Sequence, residues 1–451
     1  MPRPPSIPLA PGALPVLGHA VPLLRDALAF TSSLPALGPL ARIRLGPFSV
    51  VMACDPDVTR QVLLDDRTYD KEGPVIERIR EVAGNGLSTC PHSSHRRQRR
   101  LCQPSFQGDR FPAYAEVFAA TAEASSIAWH TGQHLDVTRE MMTLTARATM
   151  VTIFSGELPA DVVDRSIDDT TTLVRGVFRR MLTPPLLSRL PIPFNRRFDE
   201  ARARLLDVVA TIVANRRADP TDHGDLMSSL LGAVDDGATL TDAELADQVL
   251  TFFIGGTETA ANTLAWALYL LATHPEVQDQ VAAEACAAGG AGSPPLDGVT
   301  GRVLTETLRL FPPAWLFTRT LTADTELGGV ELPRGTVVAV SPYLIQHRGD
   351  LYRDPDRFDP GRWVDRAPDR SAYLPFGAGA RKCIGDRFAL TEMVTALHAV
   401  LRRWRVEPLS PEPFRPAVEA TITARGLTLR VVARDAAPAV GEPSAGAGCP
   451  A

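Results

Sequence analysis

The sequence predicts a mainly α-helical protein with a smaller β portion placed towards both ends of the chain, and three observations support this fold class. The chain has 451 residues, of which 45% are hydrophobic and 22% are charged, as is typical of a folded globular protein. Apolar residues recur at helical spacing over most of the stretch from residue 57 to about residue 285. Short β-branched runs bounded by glycine or proline occur before this stretch and again in the C-terminal third.

The predicted elements follow the chain in this order. A proline-rich segment at 1–20 is expected to lie over the surface, and two apolar runs around Gly46-Pro47 predict a hairpin over 40–54. Helices are predicted over four ranges, 114–128, 162–181, 197–217 and 242–273. The C-terminal part is predicted to hold a glycine-rich connector at 289–295, a short helix after Val303, strands near 330, at 337–340 and at 427–432, an irregular stretch at 347–373, and a helix at 384–403.

Prolines also mark a break between two of the predicted helices. Pro184-Pro185 and Pro191-Ile192-Pro193 interrupt the helical pattern, and such an interruption is a candidate lid or access loop. The sequence shows no internal repeat. We therefore expect a single domain over 21–435, preceded by the proline-rich segment and followed by a disordered tail over 436–451.

Charge and cysteine usage disfavour several classes of protein. The net charge of -5 argues against a general nucleic-acid binder, which needs a basic excess. The six cysteines have no paired spacing and the N-terminus lacks a signal-peptide pattern, so a reduced, cytoplasmic protein is expected. The run 249–274 is long enough to span a bilayer, but it carries Glu258 well inside it. Because a carboxylate is costly in hydrocarbon, we predict a buried helix there and no membrane anchor.

The segment from Phe376 to Gly385 reads F-G-A-G-A-R-K-C-I-G and carries the sharpest chemical signal. It lacks the third glycine of a dinucleotide-binding motif, and the chain has no P-loop pattern. Cys383 follows two cations and precedes a predicted helix, where a thiolate is stabilised, and the flanking glycines let the backbone approach a flat cofactor. These features predict an axial haem ligand. The alternative is a buried cysteine in a glycine-rich turn.

This segment resembles the haem-binding loop of the cytochrome P450 family, F-G-x-G-x-[RH]-x-C-x-G, at every motif position. The resemblance implies haem b with Cys383 as the proximal thiolate, Arg381 paired with a haem propionate and Phe376 packed against the ring. A thiolate ligand pushes electron density onto iron and favours O–O cleavage. The resemblance also implies a triangular, α-rich prism in which the haem lies between a long central helix and the cysteine loop.

A second motif is Glu306-Thr307-Leu308-Arg309. On a helix its two charges lie at i and i+3, and spacing alone indicates an exposed ion pair of small energetic value. The later segment Phe358-Asp359-Pro360-Gly361-Arg362-Trp363 makes the pattern similar to the family's E-x-x-R helix and meander arginine. The resemblance implies a buried structural network of Glu306, Arg309 and Arg362.

A third motif lies inside the long apolar helix, where Gly255 and Gly256 are followed by Thr257, Glu258 and Thr259. Each glycine destabilises a helix interior by about 1 kcal/mol, so close helix packing or a small ligand against the helix must favour them. The run resembles the family's oxygen-binding helix, [AG]-G-x-[DE]-T. The resemblance implies that the glycines open a groove for dioxygen, that Thr259 hydrogen-bonds the bound oxygen and that Glu258 relays protons. Ala260 stands where some members carry a second hydroxyl, which leaves the detail of the relay open.

A fourth motif is the basic cluster from His95 to Arg100. The acidic net charge and the absence of interleaved aromatic residues argue against nucleic-acid contact. His95-x-x-x-Arg99 is similar to the family's propionate-binding helix, often written W-x-x-x-R, and Arg319 matches another propionate-binding position. The resemblance leaves four cations without a role in haem binding, and these are Arg96, Arg97, Arg100 and Lys382. They could form a docking surface for an acidic electron donor. The alternative is a solvated charged face.

The resemblance covers nearly the whole chain, with the four motifs in the family's order. It implies a monooxygenase that inserts one atom of O2 into a hydrophobic small molecule, with electrons passed from NAD(P)H through a separate ferredoxin and ferredoxin reductase. The expected pocket residues are Phe252, Trp315, Leu316, Phe317 and Ile422. The segment 84–101 looks like actinobacterial sesquiterpene oxygenases, which favours a terpenoid of secondary metabolism as substrate.

Several alternatives stay open at this stage. The substrate could instead be a macrolide, a steroid or a fatty acid. The same fold can act as a hydroperoxide-driven peroxygenase or an isomerase, although the Glu258-Thr259 pair favours oxygen activation. A haem-binding sensor or carrier without turnover is the alternative outside enzymes.

Overall fold

The computed structural model describes residues 6–434, apart from 108–109, 156–158, 183–189, 220, 290–294 and 366. It confirms the predicted fold class, because helices form most of the described chain and the strands lie mainly near its two ends. The predicted break at Pro184-Pro185, most of the glycine-rich connector and the predicted disordered tail lie outside the described residues.

The helices are numbered here in chain order. They are α1 (Ala20–Ser33), α2 (Pro56–Leu64), α3 (Pro74–Ala83), α4 (His92–Cys102), α5 (Phe111–Ser126), α6 (Val137–Phe154), α7 (Ala160–Leu182), α8 (Pro193–Ala218), α9 (Leu226–Leu231), α10 (Asp242–Thr273), α11 (Pro275–Ala287), α12 (Val299–Leu310), α13 (Pro342–Gln346) and α14 (Asp386–Leu401). Short 3-10 helices occur at Leu34–Leu37, Gln103–Phe106, Pro360–Trp363 and Gly379–Arg381.

The strands form four small sheets. They are β1 (Leu40–Leu45), β2 (Phe48–Ala53), β3 (Tyr69–Asp70), β4 (His134–Asp136), β5 (Phe317–Leu321), β6 (Thr325–Leu327), β7 (Val330–Leu332), β8 (Val337–Val340), β9 (Trp404–Pro408), β10 (Ala417–Val418), β11 (Ile422–Thr423) and β12 (Thr428–Ala433). The largest sheet has the order β1-β2-β8-β5-β3, in which only β2 and β8 pair in parallel. A three-stranded sheet has the order β4-β12-β9, and β6-β7 and β10-β11 are hairpins. The predicted hairpin over 40–54 is therefore confirmed as β1-β2.

Residues 6–20 of the N-terminal segment lie along the edge of the largest sheet, with most of their side chains exposed and a few buried. Ile7 and Ala10 are buried, and the Ala10 N–H donates to the Arg42 carbonyl of β1 (2.9 Å). The fully buried His19 ring contacts the Ala10 carbonyl at 2.8 Å and accepts from the Arg44 N–H at 2.9 Å. The segment therefore adds a layer along the edge of the largest sheet, because its prolines leave enough backbone donors to pair with β1.

Helix α10 has the predicted bounds and is the central element of the fold. Its start is fixed by a capping box in which the Thr241 hydroxyl accepts from the Glu244 N–H (3.2 Å) and the Glu244 carboxylate accepts from the Thr241 N–H (2.9 Å). Its first half packs in an apolar cluster with α8 and α9, and its second half packs in another cluster with α12 and α14. The predicted burial of the apolar run 249–274 is confirmed. None of the helices in the described ranges has the length and apolar composition needed to cross a bilayer.

The charges of Glu306 and Arg309 on α12 are fully buried, unlike an ordinary surface pair. The Arg309 guanidinium donates to both carboxylate oxygens of Glu306, each at 2.9 Å. Glu306 also accepts from the Trp363 indole N–H (2.9 Å) and from Arg362 Nε (3.4 Å). Arg309 Nη1 donates to the Gln346 carbonyl at 3.0 Å. The network therefore attaches the irregular stretch before the cysteine loop to α12.

We predict that Glu306→Gln destabilises the fold by about 3–5 kcal/mol, because the change leaves the buried Arg309 charge uncompensated. Urea unfolding followed by circular dichroism measures this loss. The matched control is Asp161→Asn, which breaks the exposed pair between Asp161 and Arg165 on α7 and should cost less than about 1 kcal/mol. Equal losses in the two variants would contradict the structural role of the Glu306 network.

Candidate active site

One cavity brings the cysteine loop and α10 together. Its walls are formed by α10, the segment from the end of α12 into β5, the loop 375–383 and the first turns of α14. Thr259 and Cys383 both line it. The structure thus places two motifs that are 124 residues apart in the chain on one enclosed space.

The cysteine loop folds as a tight turn that depends on its glycines. Gly377 (φ 68°) and Gly379 (φ 69°) have left-handed backbone conformations, and a Cβ at Gly379 would lie 2.3 Å from the Leu63 carbonyl oxygen. The Cys383 N–H donates to the Phe376 carbonyl (2.9 Å) and closes the loop. Phe376 itself lines the cavity. Only glycine fits at these two positions, which explains the spacing of the motif.

The Cys383 side chain is enclosed by protein atoms yet accessible through the cavity. Burial raises the pKa of the Cys383 thiol, and the N–H of Gly385 together with the charges of Arg99 and Lys382 opposes that shift. Among the described residues, no group of three or more His, Cys, Asp or Glu side chains could hold a metal ion. A metal in this cavity therefore has one protein ligand and must bring its other ligands with it.

Three cations, Lys71, Arg319 and Arg381, lie close together on the wall of the same cavity. Burial and the neighbouring arginines lower the pKa of Lys71 to about 7, and burial and Arg381 lower that of Arg319 to about 10. Arg381 is held by Asp66 (3.0 Å) and Asp70 (2.9 Å), whereas no carboxylate of the described chain forms an ion pair with Arg319. Such a cluster needs a further anion, and the carboxylates of a porphyrin fit that need.

Sequence reasoning did not find Lys71. It is one of only two lysines among the 47 basic residues of the chain, and that rarity was the available signal. Its ammonium group donates to the Ser88 carbonyl (2.7 Å), which leaves further donor capacity for the cavity.

His95 and Arg99 lie on α4 beside this cationic cluster. His95 is buried, and burial together with the charges of Arg381 and Lys71 lowers its pKa to about 3, so its ring is neutral at physiological pH. Arg99 Nε donates to Gln103 (3.1 Å), and its Nη1 donates to the Lys382 carbonyl of the cysteine loop. Both residues support the loop and the cation cluster from the side of α4.

Helix α10 presents an open backbone to the cavity. A Cβ at Gly255 would meet no atom within 4 Å, whereas one at Gly256 would contact Thr149 of α6 at 3.4 Å. Gly255 thus leaves room for a ligand, and Gly256 allows close packing of the two helices, so both explanations for the glycine pair hold. The Thr259 hydroxyl donates to the Gly255 carbonyl (2.6 Å) and lines the cavity.

Glu258, the neighbour of Thr259, lines a second cavity of about 580 Å³ that is rich in charged residues. Burial raises the pKa of the Glu258 carboxyl, and a hydrogen bond from Thr421 (2.8 Å) and the charge of Arg175 oppose that shift. Asn262, one turn further along α10, lines the same second cavity. The helix therefore separates a cavity next to the cysteine loop from a polar cavity, and adjacent residues face the two.

Of the five expected pocket residues, only Phe317 is among the described residues that line the first cavity. Phe252 packs edge-on against Phe106 (5.0 Å between ring centres), and Ile422 is fully buried in the apolar core. The Trp315 indole N–H donates to the Glu419 carbonyl (3.1 Å). Leu316 is 37% exposed. These four residues therefore lie around the cavity and do not form its wall.

The residues of this site fit a haem. One thiol can ligate a metal that carries its own ring of ligands, the Gly255 position leaves space beside α10, and Arg319 of the cation cluster forms no ion pair with a described carboxylate. An enclosed wall from four separate segments gives a flat cofactor contacts on both faces.

Comparisons with known proteins agree with this geometry. The family described as Cytochrome P450 matches residues 8–429. Cyclooctatin synthase from Streptomyces melanosporofaciens is 43% identical over 433 residues, covering 93% of this chain and 94% of that protein. Pentalenene oxygenase from Streptomyces avermitilis is 42% identical over 435 residues, covering 94% of this chain and 97% of that protein.

The fold agrees as well. The crystal structure of the cytochrome P450DA heme domain superposes with a TM-score of 0.83 at 25% identity and covers 95% of this chain and 98% of that one. The match along almost the whole chain, together with the cysteine loop, shows that the chain belongs to the cytochrome P450 family and is a haem-thiolate monooxygenase.

Proposed function

We propose that this monooxygenase inserts oxygen into a terpenoid, with the first cavity as its active site. The observation that carries the assignment of the site is that Cys383 and Thr259 line one cavity beside a cation cluster. We also infer that residues 21–435 fold as one domain, because α10 belongs to the two largest apolar clusters, and Leu23 packs against the first of these and against a third cluster around the largest sheet.

The proposed roles of the residues that hold the cofactor combine the family resemblance with the residues found in and beside the cavity. Cys383 is the iron ligand, and Phe376 packs against the ring. The propionates bind Arg381, Arg319 and Lys71, with His95 and Arg99 contributing from α4. When bound, the haem-thiolate group supplies O–O bond cleavage and the oxygen atom that is transferred.

Two residues of α10 are proposed to transfer protons to the active site. The Thr259 hydroxyl lines the first cavity beside the space that Gly255 leaves open. Its proton is donated to the Gly255 carbonyl, and rotation of the side chain would let it donate to a ligand in that space instead. Glu258 takes protons from water in the polar cavity, which at about 580 Å³ has room for several water molecules. Because burial raises its pKa, Glu258 keeps a proton to higher pH than an exposed glutamate does and can pass it on.

The substrate class rests on the relatives and on the cavity wall. Apart from the cation cluster, the wall of the first cavity is mainly apolar, and such walls select by shape. The named relatives act, by their names, on pentalenene and in cyclooctatin formation, and a third, 41% identical, is a cyclooctat-9-en-7-ol 5-monooxygenase. A fatty acid would need a cation to bind its carboxylate. The three cations that line the cavity lie together where the propionates are proposed to bind, so they are not free for a substrate.

The electron donor is proposed to be a ferredoxin served by a ferredoxin reductase. The expected docking surface is less basic than its sequence indicates, because Arg97 pairs with Glu244, Arg100 pairs with Asp235 and Lys382 pairs with Asp386. Docking therefore depends on shape as well as on charge, with Arg96 as the exposed cation of the group that forms no ion pair with a described residue.

The absorption spectrum tests whether Cys383 ligates the haem iron. Dithionite-reduced protein with carbon monoxide should show the red-shifted Soret band of a thiolate-ligated haem, and Cys383→Ser should lose it, because serine cannot supply the thiolate. The matched control is Cys286→Ser, which changes an exposed cysteine on α11 and should keep the band. A thiolate band that persists in Cys383→Ser would contradict the assignment.

The coupling of NADPH use to product formation tests the proposed role of Thr259 in oxygen activation. Thr259→Ala should lower the product formed per NADPH several-fold while NADPH consumption continues, because the hydroxyl that lines the cavity beside Gly255 is gone. Thr259→Ser keeps the hydroxyl and should stay close to the wild type. Product and NADPH are measured together with a surrogate ferredoxin and reductase. Unchanged coupling in the alanine variant would remove Thr259 from the proton path.

Binding spectra test the proposed substrate class. Cyclic terpene hydrocarbons and alcohols should displace water from the haem iron and shift the Soret band of the ferric protein, whereas macrolides, steroids and fatty acids should not. Turnover of the binding compounds should need the ferredoxin system. Turnover with hydrogen peroxide alone would indicate a peroxygenase, and binding of fatty acids only would reject the terpenoid.

A further inference from the structure

We propose that Thr421, in the turn between β10 and β11, is a positioning residue that orients the Glu258 carboxyl for proton transfer. The proposal rests on the proposed role of Glu258 as a proton relay and adds to it the group that sets the geometry of the relay. Thr421 belongs to a hairpin far from α10 in sequence, and the oxygen-binding motif on α10 does not include it.

The direction of the hydrogen bonds is fixed by the chemistry of the three groups. The buried Thr421 hydroxyl lies 2.8 Å from Glu258 Oε1 and 3.1 Å from Asn262 Nδ2. The Asn262 amide donates to the hydroxyl, so the single hydroxyl proton is donated to Glu258. This chain of bonds occupies one oxygen of the carboxyl and leaves Oε2 to exchange a proton.

The hairpin that carries Thr421 is itself firmly attached. Glu258, Asn262 and Trp266 follow each other at intervals of four residues, so they share one face of α10. The Trp266 indole N–H donates to the Ile422 carbonyl (3.3 Å), and the Ile422 N–H donates to the Pro313 carbonyl (3.2 Å). The Thr421 hydroxyl therefore has a defined position from which to hold the carboxyl.

The surroundings explain why the carboxyl needs this support. Every element around Glu258 contributes charged groups to the wall of the polar cavity. Helix α6 and the residue before it contribute Asp136, Arg139 and Arg147, and helix α7 contributes Asp164, Asp168 and Arg175. Glu419 and Arg425 lie beside the hairpin. Two of these arginines form ion pairs with acidic residues of the same cavity, Arg147 with Asp164 and Arg425 with Glu419. Among the described groups, Thr421 makes the direct hydrogen bond to Glu258, while Arg175 acts on it only through its charge.

Two substitutions separate the hydroxyl from the packing of the side chain. Thr421→Val has nearly the same shape but no hydroxyl, so we expect several-fold less product per NADPH and a larger solvent isotope effect on product formation. Thr421→Ser keeps the hydroxyl and should stay close to the wild type in both. The control is Thr152→Val, which removes the bond from the buried Thr152 hydroxyl to the Ala148 carbonyl (2.8 Å) on α6, outside the residues that line either cavity, and should leave coupling unchanged.

A second measurement does not depend on turnover. Infrared difference spectra of the ferric holoenzyme, titrated with pH, report the protonated Glu258 carboxyl, which is assigned by its loss in Glu258→Gln. Because the Thr421 hydroxyl donates to this carboxyl and favours its charged form, Thr421→Val should move the band to higher wavenumber and raise the pKa of Glu258. Thr421→Ser should do neither.

The outcomes separate this proposal from the one on which it rests. If Glu258→Gln uncouples the enzyme but Thr421→Val changes neither the coupling nor the carboxyl band, Thr421 has no positioning role. If Glu258→Gln leaves the coupling and the solvent isotope effect unchanged, the relay through Glu258 is wrong and the role of Thr421 is overturned with it. Equal losses in the valine and serine variants would show that the methyl group matters, and would also overturn the proposal.

Discussion

The buried ion pair between Glu306 and Arg309 is the interaction on which the haem site depends. Arg309 holds the Gln346 carbonyl (3.0 Å), and the Gln346 side chain accepts from the Leu374 N–H (2.8 Å). The Leu374 carbonyl accepts from Gly377 (2.9 Å), which belongs to the turn that the Cys383 N–H closes. A continuous path of hydrogen bonds thus joins a charge pair on α12 to the cysteine ligand. Because both charges are fully buried, neither can be lost without leaving the other unpaired.

If the cation cluster binds the haem propionates, as proposed, the cofactor would also stabilise the fold. Lys71, Arg319 and Arg381 repel one another, and burial adds to the cost, as their lowered pKa values show for Lys71 and Arg319. The two propionates of a haem would supply the missing negative charge, so cofactor binding relieves a repulsion that the apoprotein must bear. Binding to the folded state alone then raises stability by mass action.

Motifs that are contiguous in the sequence could be recognised, because their spacing is set by local backbone geometry. The glycines of the cysteine loop, the pair at i and i+3 on α12 and the bounds of α10 belong to this group. Lys71, Thr421 and Gln346 act through partners that are distant in the sequence, and a spacing rule cannot see such contacts. The strands β3, β10 and β11 have two residues each, too few to show a period. Phe252 and Ile422 were expected in the pocket because the family lines its pocket at these positions, and in this structure both pack in apolar clusters.

Helix geometry explains how one element can serve both cavities. Successive residues of a helix are rotated by about 100°, so Glu258 and Thr259 project in different directions although they are bonded neighbours. One turn later, Asn262 and Thr263 repeat the division, with Asn262 lining the polar cavity and Thr263 the first cavity. In the proposed relay, a proton that enters from the polar side would cross α10 within a single peptide unit, while the apolar packing of the helix on either side keeps bulk water out. The rotation explains why the acid and the alcohol can be adjacent in the motif and still face different cavities.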